Sequence, residues 1–191
     1  IQRIVNMGVE LRLGSRIDDV ERTMQAERFD ACFLGVGSQI GKRAYIPAGD
    51  ARRITDAVAV LHQMAGDAKP LLGRRVAVYG GGNTAVDVAR TARRLGAEES
   101  IIVYRRTRER MPAHHHEVEE ALEEGVKLKW LSTIAAAEDE SITVEKMALD
   151  DSGFPQPTGE FETMQADSVV LALGQDVDME LLERIEGLAI E

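Results

Sequence analysis

Val76-Ala77-Val78-Tyr79-Gly80-Gly81-Gly82-Asn83-Thr84-Ala85 decides the fold. An apolar run passes into three consecutive glycines and then into a helix opening, the order of a strand, a tight turn and a helix that begins a nucleotide-binding unit. Glycines at such a turn let backbone approach a pyrophosphate, and the helix behind them aims unpaired N–H groups and its positive dipole end at the anion. The third fingerprint position is Ala85, which the pattern permits. The helix continues from Asp87 to a stop at Gly96, with Val86, Ala89, Ala92 and Leu95 on one face. The next strand is Ile101 to Tyr104. A unit built for NAD carries an acid at this strand's end, roughly 20 residues past the glycines, for the ribose 2′-hydroxyl. Here Arg105 and Arg106 stand there. Guanidinium groups hold a 2′-phosphate through forked, charge-assisted hydrogen bonds where a carboxylate repels it, so the pattern points to NADPH. The plainer alternative is a glycine turn that serves only helix packing, with the arginines in a solvated loop.

Outward from this unit, the order of elements is α/β. Ile1 to Met7 reads as a helix end stopped by Gly8, Val9 to Leu13 as a strand, Val20 to Ala26 as a short helix, and Asp30 to Val36 as a buried strand. Ile46-Pro47-Ala48-Gly49 reads as a linker. Thr55 is placed as the cap of a helix to about Ala65, with Ala57, Val58, Leu61 and Met64 as its stripe. Past the arginines, Pro112 opens a helix with Val118, Ala121 and Leu122 inward and Gly125 as its stop, and Val126 to Leu131 is the third strand. Ser141 to Ala166 alternates apolar and polar residues about a turn at Asp151-Ser152-Gly153, an antiparallel hairpin appended to the parallel sheet. Asp167 to Gly174 is a buried strand that resembles Asp30 to Gly37, and the two are expected to pair as crossings between domains.

A formal net charge of -10 disfavours nucleic acid and anionic membrane surfaces as partners. Against that balance, four arginines between Arg105 and Arg110 form a local positive patch suited to an anionic ligand. No run approaches the ~18 apolar residues of a membrane span. The chain opens on Ile1 with neither a signal nor a transit pattern, so it reads as a segment of a longer, cytoplasmic protein. The single Cys32 excludes an internal disulfide or an all-cysteine cluster site, and its apolar surroundings predict a buried thiol.

As a set, Gly80-Gly81-Gly82-Asn83-Thr84-Ala85-Val86-Asp87, Tyr104-Arg105-Arg106, Met111-Pro112-Ala113, the segment Glu117 to Val126, and Ala172-Leu173-Gly174 resemble the small, or beta, subunit family of NADPH-dependent glutamate synthase and related FAD-linked oxidoreductases. The resemblance implies a three-layer Rossmann-like NADPH domain with a hairpin, residues 47–166, inserted into a flavin domain whose halves are residues 1–46 and 167–191. It implies that Gly80, Gly82, Asn83 and Thr84 hold the pyrophosphate, that Arg105, Arg106 and Arg110 hold the 2′-phosphate, and that Gly174 lies by the nicotinamide. In such enzymes a hydride passes from NADPH to FAD, and electrons leave through iron–sulfur clusters to a large catalytic subunit or another acceptor protein. No flavin-type glycine fingerprint or cysteine-rich segment stands in this chain, so it is expected to bind NADPH and to hold FAD poorly.

His114-His115-His116 invites a metal reading, but neighbours on a helix diverge by about 100°, so a solvated helix start is the stronger one. Glu117, Glu119, Glu120, Glu123 and Glu124 read as the water-facing side of their helix, Asp87 as a structural hydrogen-bonding group, and Trp130 and Phe154 as packing residues. No Gly-x-Ser-x-Gly elbow appears, which argues against a hydrolase. Two rivals stay open: an electron-transfer subunit serving ferredoxin, formate dehydrogenase or hydrogenase, and a sensor that binds NADPH without redox chemistry.

Overall fold

The computed structural model describes residues 1–38, 40–42, 46, 54–65 and 69–189. The chain divides into two units, Ile1–Gly37 with Val177–Glu191, and Ser38–Asp176. In chain order the helices are α1 (Gln2–Val5), α2 (Val20–Glu27), α3 (Ala57–Ala65), α4 (Asn83–Arg94) and α5 (His115–Glu123). The strands are β1 (Ile40–Gly41), β2 (Ile54–Asp56), β3 (Arg75–Tyr79), β4 (Glu99–Val103), β5 (Lys127–Lys129), β6 (Ser132–Ala137), β7 (Ser141–Leu149), β8 (Pro155–Gln165), β9 (Ser168–Leu171) and β10 (Gln175–Asp176).

Within Ser38–Asp176 the frame is a five-stranded sheet of order β2-β9-β3-β4-β5, with every pair parallel. Parallel strands must be covered on both faces, and alternation along each strand divides their side chains accordingly. Val76, Val78, Ile102 and Val170 face a cluster with Ala57 and Val60 of α3, Val86 and Ala89 of α4, and Val118 and Ala121 of α5. Ala77, Ile101, Val103, Val169 and Leu171 face Ile134, Ile142 and Val144 of a three-stranded antiparallel sheet, β6-β7-β8. The result is three layers: helices, parallel sheet, antiparallel sheet. Val76, Val78, Val86, Val88 and Ile102 are at most 1% exposed, and burial of each such side chain contributes roughly 1.5–3 kcal/mol.

The expected hairpin is β7 and β8, but β6 joins it and the whole sheet lies across a face rather than extending an edge. Ser132–Ala137 is rich in alanine, a weak strand former, which hid it from a propensity reading. Asp56, one residue past the expected cap, accepts from Val58 N at 2.8 Å at the start of α3. Likewise α5 begins at His115 instead of Pro112, and Leu122 is 40% exposed.

The flanking strands depart most from expectation. Neither 9–13 nor 30–36 is a strand; Phe33 is 95% exposed and Cys32 is an exposed thiol. An apolar run becomes a strand only where a neighbour completes its ladder, and the described strand pairings include none for these residues. The strand expected to partner 30–36 is β9, which instead runs between β2 and β3, with Val169 opposite both Ile54 and Ala77. Asp167 secures that position, its carboxylate accepting from Arg74 N at 2.7 Å, Arg75 N at 2.8 Å and the Arg75 guanidinium at 2.7 Å. The expected boundary at 166/167 therefore precedes a central strand, and the unit runs on to Asp176. Of the expected linker only Ile46 is among the described residues, and it is buried in the second cluster. Pro47, Ala48 and Gly49 lie outside them.

Candidate functional site

At the C-terminal ends of β3, β4 and β9 lies a cleft of about 530 Å³. This is where parallel α/β sheets present their ligand sites, because the loops leaving the strands diverge there. The glycine turn forms its floor. Gly80 has φ +149, its N–H donates to Val103 O at 3.1 Å, and a Cβ there would stand 2.1 Å from Ala172 O. Only glycine lets the ends of β3 and β9 approach so closely. A Cβ on Gly81 would lie 2.4 Å from the Tyr104 ring, which packs beneath the turn. At Gly82, by contrast, a Cβ would meet nothing within 4 Å.

Gly82 is also the N-cap of α4 and offers no side-chain cap. Among the described residues nothing accepts from the N–H groups of Gly82, Asn83 or Thr84. The helix therefore opens onto the cleft with unpaired donors and the positive end of a dipole, and Gly82 leaves the approach to them clear. Thr84 lines the cleft. Asn83 does not: its Oδ1 accepts from His114 N at 2.9 Å, while Ala113 N donates to Gly81 O at 3.1 Å. The structure thus places Asn83 as a link between the turn and the segment before α5.

Arg105 and Arg106 follow β4 and line the cleft rim. Neither forms an ion pair among the described residues, and Arg106 Nε is buried without an acceptor. Other arginines are committed elsewhere. Arg108 pairs with Glu119, and Arg90 and Arg94 of α4 converge on Glu124 at 2.7 and 2.6 Å. Arg110 lies against the hairpin turn, where a Cβ on Gly153 would stand 2.3 Å from its Nη2, and it does not line the cleft. Gly174 does line it, with φ +107 and its carbonyl accepting from Lys42 N at 2.9 Å. Lys42 is a cleft residue that sequence reading missed. It is brought there by the pairing of β1 with β10 and held by Asp176 at 3.0 Å, and no local motif marks it.

The cleft therefore combines unpaired backbone donors, an unobstructed glycine and two uncommitted guanidinium groups. These residues fit an anionic dinucleotide carrying an extra phosphate. All three histidines are exposed, and His114 and His116 stack at 5.7 Å; among the described residues no group of three or more His, Cys, Asp or Glu is placed as metal ligands would be. Asp87 lies outside the cleft lining; partial burial, then the charge of Glu117, pushes its carboxyl above the ordinary range. Trp130 packs edge-to-face on Tyr104 at 6.3 Å, as a packing residue does. No helix among the described residues is long and apolar enough to cross a membrane.

Residues 3–191 match the family model described as pyridine nucleotide-disulphide oxidoreductase. The NADPH-Fe(3+) oxidoreductase subunit beta of Geobacter sulfurreducens is 35% identical over 207 residues, covering 100% of this chain and 31% of the relative. The glutamate synthase (NADPH) small chain of Halomonas elongata is 35% identical over 189 residues, covering 88% of this chain and 40% of the relative. The chain spans about a third of the length of these curated relatives. Among solved structures, Mycobacterium tuberculosis FprA in complex with NADPH superposes with a TM-score of 0.63 at 20% identity, covering 80% of this chain and 51% of that one, a likeness of fold. With a parallel sheet, a glycine turn before α4 and a family match over nearly its whole length, the chain belongs to the pyridine nucleotide-disulphide oxidoreductase family.

Proposed function

We propose that Ser38–Asp176 is the NADPH-binding portion of an FAD-linked oxidoreductase of the glutamate synthase small-subunit type. The observation that carries the reading is the pair Arg105 and Arg106 on the cleft rim, without acidic partners among the described residues, at the same cleft as the unpaired donors of α4. When bound, NADPH supplies a hydride for a flavin. The chain's own part is to bind and orient. The N–H groups of Gly82, Asn83 and Thr84 take the pyrophosphate, Arg105 and Arg106 take the 2′-phosphate, and Gly80 and Gly174 keep backbone close without side chains in the way. Arg110, seated on Gly153, adds positive potential from outside the cleft.

In the intact protein, electrons would pass to FAD and on through iron–sulfur clusters to a large catalytic subunit or other acceptor protein. With Cys32 as its single cysteine, this chain supplies no cluster site, so cluster ligands belong to other parts of that protein. The segments outside Ser38–Asp176 are assigned to the interrupted flavin domain. A related reading, an electron-transfer subunit for another acceptor, is supported by the likeness to the NADPH-Fe(3+) oxidoreductase subunit.

Calorimetric titration tests the site. NADPH is expected to bind with a Kd on the order of micromolar, about 8 kcal/mol, and at least about tenfold more tightly than NADH. Replacement of both Arg105 and Arg106 by alanine should remove that preference, and FAD should not be retained. Equal affinity of the unaltered chain for NADPH and NADH overturns the assignment.

A further inference from the structure

Phe154 follows the β7–β8 turn and, although read from sequence as a packing residue, is 49% exposed. The turn that carries it is held from within. Asp150 accepts from Ser152 N at 3.0 Å, Ser152 Oγ at 2.6 Å, Phe154 N at 2.9 Å and Gln156 Nε2 at 2.9 Å. These bonds, the Ser152 hydroxyl's first, hold the Asp150 carboxyl down to about 2, so the turn keeps its charged anchor into acid where an ordinary aspartate would take up a proton. Gly153, with φ +77, leaves the space that the Arg110 guanidinium occupies. The tip of the hairpin is thus built against the arginine loop, far from it in sequence.

At that contact the guanidinium carbons of Arg105 and Arg106 each lie 5.8 Å from the centre of the Phe154 ring. Two adjacent cations repel each other, and something must hold them together on the cleft rim. A carboxylate would do so but would neutralise them and repel an incoming phosphate. An aromatic face attracts both cations while leaving their charge and their N–H groups available. We propose that Phe154 is a positioning residue that pre-orders Arg105 and Arg106, so that the antiparallel hairpin sets selectivity for a dinucleotide with a phosphorylated ribose. This deepens the NADPH reading and rests on it.

The test is calorimetric titration of the full chain with NADPH and with NADH. Phe154→Ala and Phe154→Leu should each lower NADPH affinity about three- to tenfold, because both guanidinium groups must then be ordered during binding, with NADH affinity moving less than about twofold. Phe154→Tyr, which keeps the aromatic face, should restore the NADPH preference. If Phe154→Ala keeps the NADPH-to-NADH ratio, or weakens both ligands equally, while the double arginine variant loses its preference, the hairpin's role is overturned and the NADPH reading stands. A double arginine variant that keeps the preference overturns both.

Discussion

Gly80 and Gly82 are two residues apart and do different work. At Gly80 the constraint comes from the protein: φ is +149 and Ala172 O stands where a Cβ would go. Gly80→Ala should therefore cost about 2–4 kcal/mol of folding stability, read as a fall in melting temperature. At Gly82 nothing in the chain occupies that space, and its φ of -86 suits any residue. Gly82→Ala should cost no more than about 1 kcal/mol of stability as an N-cap change. Its effect should appear in titration instead, as a loss of NADPH affinity of about tenfold or more from a methyl group set in the approach to the helix donors. The fingerprint makes both glycines legible as a set, but only the tertiary structure separates the fold-bearing one from the one that leaves the helix donors open. The same holds for the arginines. Arg105 and Arg106 were legible because they replace an expected acid; that Arg110 turns to Gly153 depends on a hairpin more than forty residues away.

Among the elements, α4 and α5 are clamped by carboxylates, Glu120 on Arg90 at 2.8 Å and, with two partners, Glu124. Glu124, at the end of α5, receives Arg90 and Arg94 from α4, which lower its carboxyl from an ordinary 4.5 to about 2, Arg90 foremost. A value lower in the folded state than in the unfolded one means stability present in full above about pH 4.5 and lost as pH falls toward 2. Glu124→Gln should accordingly lower the melting temperature at pH 7 and flatten its decline over that interval. Element periodicity revealed β3, α4 and β4 because each is decided by residues close in sequence. β9 was seen as a strand yet assigned to the wrong neighbours, since an apolar run announces burial on both faces without naming its partner. Hydrogen exchange measures this directly: amides of Val169, Val170 and Leu171 should be protected by the ladders to β2 and β3, and those of 31–36 should exchange fast.

Across the whole molecule, apolar burial is concentrated in Ser38–Asp176. In the other unit Val20 is the one buried hydrophobic among the described residues, while Phe33, Leu13 and Met7 are 95%, 81% and 79% exposed. Because every described residue that lines the cleft falls between 42 and 174, a fragment of residues 38–176 should bind NADPH within about twofold of the full chain, by calorimetry. A larger loss would show that the flanking unit supports the site.

The sequence alone determined the glycine turn, the helix behind it and the two arginines in place of an acid, because local sterics, helix periodicity and charge act between near neighbours. Only the tertiary structure decided that β9 enters the middle of the parallel sheet, that Lys42 reaches the cleft and that Phe154 comes beneath the arginines. Each of those requires segments far apart in the chain to meet. Which segments meet is settled by competition for burial and hydrogen-bond partners across the whole fold.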